Sequence, residues 1–298
     1  MKIVTDRAEV STPGSVTGFG TGLDLVGVAV LPAYRASFRA VVGRTQVIGN
    51  SGPTILTDPD KNPAVVAVKA LLERVGAPTV GLNVVVSSSI PSGAGLGSYA
   101  AKVAAGTLAA KALLGNPEQL DLEFLTQCVT SLGVDPLRAR LALAGEGAFL
   151  TGSGIPVSFP TPRTELTLTA LVPDFVLDEH SGPGPRPATV PFSAAQEAAG
   201  NALMVTSVLS GQLEPTKQNL FEATENHMAG EYLQVASPAS AALVGWLREQ
   251  GLAAFASGDG PAVCCFSEIS PEVAGAAERS GWRTQLLTIA PVRSNATN

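Results

Sequence analysis

Three alternate glycines lie between a strand-like segment and an apolar, alanine-rich segment, and this arrangement constrains the chain more than any other feature. The glycines are Gly93, Gly95 and Gly97. Residues 82–86 predict a buried strand and residues 99–114 predict a helix. Glycines let a backbone approach an anion, and the N–H groups and positive dipole end of the next helix complete a phosphate site. The alternative is a glycine-rich loop that holds no ligand.

The residues around these glycines exclude two common nucleotide-binding loops. No Gly-Lys-Ser/Thr follows them, as a P-loop requires. No acidic residue stands about 20 positions further on at the end of a second strand, as a dinucleotide site requires. If this loop binds phosphate, it therefore belongs to neither of these two nucleotide-binding folds.

Composition and charge indicate a metabolic protein with a small-molecule partner. The chain has 298 residues, of which 45% are hydrophobic and 15% charged, enough for a large core and two packed subdomains. The net charge of −6 and the scattered 19 Lys and Arg argue against nucleic-acid and anionic-membrane partners. The longest uncharged run, residues 75–101, is broken by proline, serine and glycine, so no membrane span is expected.

The cysteines and the first residues indicate a cytoplasmic location. Cys128, Cys264 and Cys265 are odd in number, lie in apolar contexts and lack metal-site spacing, so we expect reduced core residues. The residues after Met1 begin with a strand-like run and lack the apolar core of a signal peptide.

The hydrophobic pattern predicts an α+β fold with helices on an antiparallel sheet. The main predicted strands are residues 25–30, 36–42, 82–86, 166–172, 262–266 and 283–289. The predicted helices are residues 63–75, 99–114, 117–132, 193–209, 238–251 and 271–279. Asn116 and Pro117 supply an N-cap and a first-turn proline for the third helix. A seam near residues 160–162 separates two halves.

Segments near both ends of the chain accompany the glycine loop. They are residues 12–30 (TPGSVTGFGTGLDLVGVAV) and residues 256–263 (ASGDGPAV). With residues 91–100, they resemble the first, third and second motifs of the GHMP small-molecule kinases, in the family's order. Residues 58–63 and 142–147 resemble homoserine kinase segments. The chain is therefore identified as a diverged member of the homoserine kinase branch of this family.

The resemblance implies a fold and an activity. The fold is a two-domain GHMP-kinase-like α+β fold, with an N-terminal α/β nucleotide-holding domain (1–160) and a C-terminal ferredoxin-like α/β sandwich (161–298). The active site lies between them. The implied activity is ATP-dependent phosphorylation, with Mg²⁺, of the hydroxyl of homoserine or a related small amino alcohol. A homodimer is expected from the family.

The resemblance also implies site residues. The ATP-binding positions are Asn62, Pro91, Gly93, Ala94, Gly95, Leu96, Gly97, Ser98 and Tyr99. The substrate-binding positions are Gly18, Gly20, Asp24, Arg186, Gly258 and Gly260. Ser98 and Glu146 match the metal ligands, and with Asp24 they form the implied catalytic set; Mg²⁺ prefers such oxygen ligands.

Each of the main site residues also has a structural interpretation. Ser98 and Asn62 could cap helices, Asp24 could be a local hydrogen-bonding residue of a turn, and Glu146 could be an exposed helix-surface side chain. For the loop itself, we expect Gly97→Val to abolish nucleotide binding with little loss of fold, because a branched side chain would block the approach of the backbone to phosphate.

Four departures from the family pattern leave a second function open. Tyr99 replaces a small hydroxyl residue, and it either packs away from the phosphates or crowds them. Gly18 replaces an asparagine, Leu233 stands where an arginine is expected, and the His-x-Asp-Asn segment expected after residues 152–154 is missing. The second function is that of a catalytically weak or inactive paralog that binds a nucleotide or metabolite in a regulatory or structural role.

Overall fold

The chain forms a mixed α+β structure in which helices pack on a large, mainly antiparallel sheet, as predicted. This computed structural model describes residues 1–21, 24–49, 58–162, 165–174, 188–225, 230–258 and 260–290, with the backbone alone at residues 230–232. The strands are β1 (Arg7–Thr17), β2 (Val26–Val41), β3 (Gln46–Ile48), β4 (Gly81–Ser88), β5 (Gly147–Leu150), β6 (Pro156–Phe159), β7 (Thr167–Pro173), β8 (Ala254–Ala256), β9 (Val263–Cys265) and β10 (Trp282–Ile289). The helices are α1 (Pro63–Arg74), α2 (Ser98–Leu113), α3 (Leu122–Ser131), α4 (Pro136–Ala144), α5 (Phe192–Leu209), α6 (Lys217–Ala223), α7 (Gly230–Ala236), α8 (Pro238–Glu249) and α9 (Pro271–Arg279).

Strand β2 lies at the centre of the sheet. The prediction of two separate strands at residues 25–30 and 36–42 is wrong, because β2 is continuous from Val26 to Val41. It pairs with β1 along one edge and with β5, β10 and β4 along the other. Pro32 does not end it, because β1 shifts register opposite, from Pro13–Ala33 to Gly14–Val30, so that Leu31 and Pro32 need no partners in β1.

Both halves of the chain contribute to the same sheet. β10, near the C-terminus, pairs with β2 at Leu31 and Val30 and with β7 along its length. Within the described residues, β3 with β4 is the one parallel pair. β6 ends at Phe159 and β7 begins at Thr167, and the division into domains 1–160 and 161–298 stays a prediction.

Helix α2 runs through the core and carries the glycine loop at its N-terminus. Most of its residues are buried, and it packs against α1, β1 and α4. Its end differs from the prediction. Asn116 adopts a left-handed conformation after α2 and its N–H bonds the Lys111 carbonyl, so it does not cap the next helix. That helix, α3, begins at Leu122, where the Asp121 carboxylate accepts from Phe124 N at 2.8 Å.

The three cysteines are free and buried, as expected. Burial in the sheet raises the pKa of Cys265 to about 12, which keeps the thiol protonated at neutral pH. Within the described residues, every helix is too short or too polar to cross a membrane.

Candidate active site

The backbone of the glycine loop is fixed by the two segments that carry the other motifs. Ser15 N, in β1, donates to the Leu96 carbonyl at 3.0 Å, and Ala262 N donates to the Ala94 carbonyl at 3.0 Å. Gly258 N in turn donates to the Thr17 carbonyl at 2.8 Å. Segments from residues 12–30, 91–100 and 256–263 therefore meet at one place, where they surround the N-terminus of α2.

Gly95 and Gly97 are required by this packing. Both have positive φ, of 78° and 75°. A methyl group on Gly97 would overlap Ser15 Oγ and lie 3.0 Å from Ser15 N, and one on Gly95 would overlap the Gly260 carbonyl. The expectation that Gly97→Val has little effect on the fold is therefore wrong, because the added side chain would push β1 from the loop.

The first half of the loop faces a cavity. Pro91, Gly93 and Ala94 line a space of about 380 Å³, opposite residues 172–174 and Arg283. This volume is within the usual range for small-ligand pockets. Gly97 offers no side-chain cap to the first turn of α2, which leaves that turn suited to an anion. One half of the loop thus packs on protein, and the other half borders a cavity.

Ser98 is the first residue of α2 and its hydroxyl is buried without a partner. The residue is 6% exposed, and within the described chain Ser98 Oγ has no hydrogen bond. It is therefore not a side-chain cap. Ser15 Oγ and Thr17 Oγ1, on the adjoining strand β1, are also buried without partners. Each such atom costs about 1–3 kcal/mol of stability, so three of them beside the loop are consistent with a catalytic role or with a bound ion or water.

Asp24 lies in the turn between β1 and β2, against Gly18. Its φ is 48°, in the left-handed region, and its Oδ1 is buried with no partner among the described residues. A methyl group on Gly18 would lie 3.3 Å from this oxygen and 3.5 Å from Gly258 Cα. A strained residue with an unsatisfied buried carboxylate oxygen is typical of a ligand site.

An aromatic cluster holds this turn in place. Phe19 is fully buried, and its ring lies 5.1 Å from the Phe255 ring and 5.6 Å from the Phe266 ring. Gly20, next to Phe19, packs so closely on the Thr224 carbonyl that a side chain would overlap it. The turn is therefore fixed to the C-terminal half of the chain.

Glu146 lies in the turn between α4 and β5, half-buried, and not on a helix surface. Its carbonyl accepts from Ala29 N at 3.2 Å, and Ala29 pairs with Ser15 across β2 and β1. Two strand spacings, about 10 Å, therefore separate the backbones of Glu146 and Ser15. Within the described residues no three His, Cys, Asp or Glu side chains form a metal cage.

Several predicted residues have structural partners. Asn62 Oδ1 caps α1 by accepting from Ala64 N at 2.9 Å. Tyr99 Oη donates to the Leu132 carbonyl at 3.0 Å, which supports the interpretation that the ring packs elsewhere than on the phosphates. Leu233 is buried in α7.

Two further predictions concern Arg186 and the missing His-x-Asp-Asn segment. Arg186 lies outside the described residues. Where the His-x-Asp-Asn segment is missing, a tight turn connects β5 directly to β6, with Gly154 N donating to the Thr151 carbonyl at 2.8 Å.

Arg138, which matches none of the motifs, is brought to the same place by the fold. This side chain reaches from α4, and Nη1 donates to the Gly95 carbonyl at 3.3 Å. Its Nη2 lies so close to Gly258 that a side chain there would overlap it. In the sequence nothing distinguishes Arg138 from Arg140, two positions later.

Comparisons with known proteins agree with this geometry. Residues 62–135, which contain the loop and α2, match the family model described as GHMP kinases N terminal domain. The homoserine kinase of Leifsonia xyli subsp. xyli is 28% identical over 267 residues, which cover 85% of this chain and 79% of that protein. The predicted resemblance to GHMP kinases is confirmed. The homoserine kinase of Corynebacterium efficiens is 28% identical over 302 residues, 96% of this chain and 95% of that protein.

The fold of a solved structure extends the GHMP kinase likeness over the whole chain. The crystal structure of homoserine kinase from Cytophaga hutchinsonii superposes with a TM-score of 0.75, at 22% identity, over 96% of both chains. At this identity the superposition establishes the GHMP kinase fold. The relatives and the fold together support a kinase-type transferase.

Proposed function

We propose that this protein is an ATP-dependent kinase that phosphorylates the hydroxyl of homoserine or a related small amino alcohol. One observation carries the proposal: the three motif segments meet around buried polar atoms, those of Ser15, Thr17, Asp24 and Ser98, that have no partner among the described residues. The relatives named homoserine kinase supply the substrate class.

The nucleotide side of the site is assigned to the loop and the start of α2. Residues 91–99 would hold the phosphates, with first-turn N–H groups of α2 as donors. Asn62 would lie at the adenine end. Ser98 Oγ and the Glu146 carboxylate would hold Mg²⁺, which neutralises phosphate charge when bound. Phosphoryl transfer depends mainly on such positioning and electrostatic stabilisation.

The acceptor side is assigned to the turn that carries Asp24. Its carboxylate would pair with the ammonium group of the amino alcohol. Gly18, Gly20, Gly258 and Gly260 would form the surrounding backbone walls, and Arg186 is the remaining proposed contact. In this proposal the acceptor lies between the domains 1–160 and 161–298. We also propose that the protein is a homodimer located in the cytoplasm.

The test is ADP release in the presence of Mg²⁺ and ATP, with homoserine, threonine, serine and simple alcohols as separate acceptors. We expect release that depends on homoserine or a related amino alcohol and that stops when EDTA removes the metal. ATP binding without turnover on any acceptor would overturn the kinase proposal in favour of a nucleotide-binding paralog. Turnover on another alcohol would correct the substrate.

A further inference from the structure

Arg138 is a half-buried cation at the junction of the loop and the 256–263 turn. A guanidinium carries five N–H donors. Among the described residues, the one acceptor it contacts is the Gly95 carbonyl, at 3.3 Å, and no carboxylate lies within ion-pair distance. The Arg138 guanidinium is therefore held through one nitrogen, Nη1, and most of its N–H groups can donate to another partner.

Arg140, on the same helix, has a carboxylate partner. Its Nη2 lies 2.6 Å from Glu123 Oε2, and its side chain is 10% exposed. Arg39 and Arg283 also have carboxylate partners, Asp6 and Asp174. Among the described residues Arg138 has no carboxylate partner, unlike these three.

The surroundings of Arg138 point independently to a ligand. Gly258, which Nη2 contacts, lies close to Thr17 Oγ1: a methyl group on Gly258 would lie 3.1 Å from that oxygen. Thr17 is fully buried and Oγ1 has no partner within the described chain. A hydroxyl and a guanidinium at one place, both with hydrogen-bonding capacity left over, suit an oxyanion.

We propose that Arg138 binds an oxyanion of the reactants directly, and the geometry points to the terminal phosphate of ATP. The assignment rests on the proposed kinase function. Gly95, which anchors the guanidinium, belongs to the phosphate loop, and the planar fork of arginine suits two phosphate oxygens at once. A carboxylate on the acceptor has the same chemistry and is the other source to be distinguished.

The test compares ATP with ADP, because the two nucleotides differ by the group that Arg138 would contact. The variants are Arg138→Gln and Arg138→Lys, with exposed Arg44→Gln as the matched control. Calorimetric titration of Arg138→Gln should show ATP affinity lowered by about tenfold or more, with ADP affinity within about twofold of the parent. Arg138→Lys should restore part of the loss, and Arg44→Gln should match the parent.

Other outcomes distinguish the ATP phosphate from the acceptor carboxylate, and the role of Arg138 from the proposed kinase function. Unchanged nucleotide affinities with a raised KM for homoserine would support the oxyanion role and assign it to the acceptor carboxylate. Equal loss of ATP and ADP affinity, or no change in any constant, would overturn it. If the parent binds no nucleotide, the kinase function fails. Inorganic triphosphate then decides the Arg138 role: binding that Arg138→Gln loses supports it, and absent or unchanged binding overturns it.

The folded state of the variants is checked by thermal unfolding. If Arg138→Gln does not fold, Arg138→Lys carries the same ATP and ADP comparison, because it keeps the charge and loses the fork. An Arg138→Lys variant with parental affinity for both nucleotides, and parental KM for homoserine, would then overturn the proposal.

Discussion

Two junctions in this protein bring distant segments together around polar groups, and they are completed differently. At the first, Arg248 of α8 donates to the carbonyls of Phe221, Thr224 and Ala254 and to Thr224 Oγ1, at 2.9–3.3 Å. Its guanidinium also lies 4.0 Å from the centre of the Phe221 ring. At the second, where the three motifs meet, several buried oxygens have no partner in the described chain.

The difference separates a structural junction from a candidate binding site. Burial lowers the pKa of Arg248 from its ordinary value, yet its hydrogen bonds to four acceptors offset the cost of desolvation. At the motif junction the buried oxygens of Ser15, Thr17, Asp24 and Ser98 have no partner among the described residues, which is expected where a catalytic role, an ion or a water completes the network. The first junction should therefore control stability, and the second should control activity.

The largest expected effect is on stability, at the completed junction. Arg248→Met keeps the apolar stem but leaves three backbone carbonyls without their donor. We expect the free energy of unfolding to fall by about 3 kcal/mol, with KM values unchanged at temperatures where the variant is folded. Urea unfolding measures the change. A loss below about 1 kcal/mol would mean that the hydrogen bonds of Arg248 do not stabilise the fold as proposed.

The next effect is on substrate binding at the motif junction. Asp24→Asn removes the charge from an oxygen that has no partner among the described residues, so the free energy of unfolding should stay within about 0.5 kcal/mol of the parent. The KM for homoserine should rise roughly 30-fold, equivalent to about 2 kcal/mol, the usual worth of a charged hydrogen bond.

Asp121→Asn is the matched control for Asp24→Asn. Asp121 caps α3, and asparagine caps helices about as well as aspartate, so both stability and KM should stay at parental values. If Asp24→Asn changes stability and leaves KM at the parental value, Asp24 is a residue of the turn alone.

The smallest expected effect comes from a single hydroxyl. Ser98→Ala removes a buried oxygen that has no partner among the described residues, so stability should rise, by at most about 1–3 kcal/mol, while kcat should fall by about tenfold, or about 1.4 kcal/mol. Ser158→Ala, on β6, removes a buried hydroxyl that also has no partner among the described residues and that lies outside the three motif segments. Equal kcat values for the two variants would remove Ser98 from the catalytic set.

Much of the fold could be predicted because its signals are local. The strand before the loop, helix α2 and helix α9 follow directly from hydrophobic runs and breakers. The start of α3 was missed because Asn116 and Pro117 resemble a helix start, whereas Asn116 completes the end of α2. The hydrophobic pattern indicates two strands in place of β2, and it cannot show that β2 continues through Pro32, because the register shift that accommodates this proline lies in β1.

The candidate site was predictable only where residues match a motif. Ser98, Asp24 and the loop glycines could be found in this way, although the sequence did not show that Gly95 and Gly97 are required by Ser15 and Gly260. Arg138 could not be found. Its position depends on how α4 packs beside the loop, and that is set by contacts between segments more than 40 residues apart.

Calorimetric titration of the parent protein with Mg²⁺ and ATP tests the central claim most directly, because the claim is that the buried oxygens of the motif junction belong to a ligand site. We expect saturable binding at one site per chain, and we expect a higher unfolding temperature in the presence of Mg²⁺ and ATP than in their absence. Absence of both heat and stabilisation at millimolar ATP would contradict the claim.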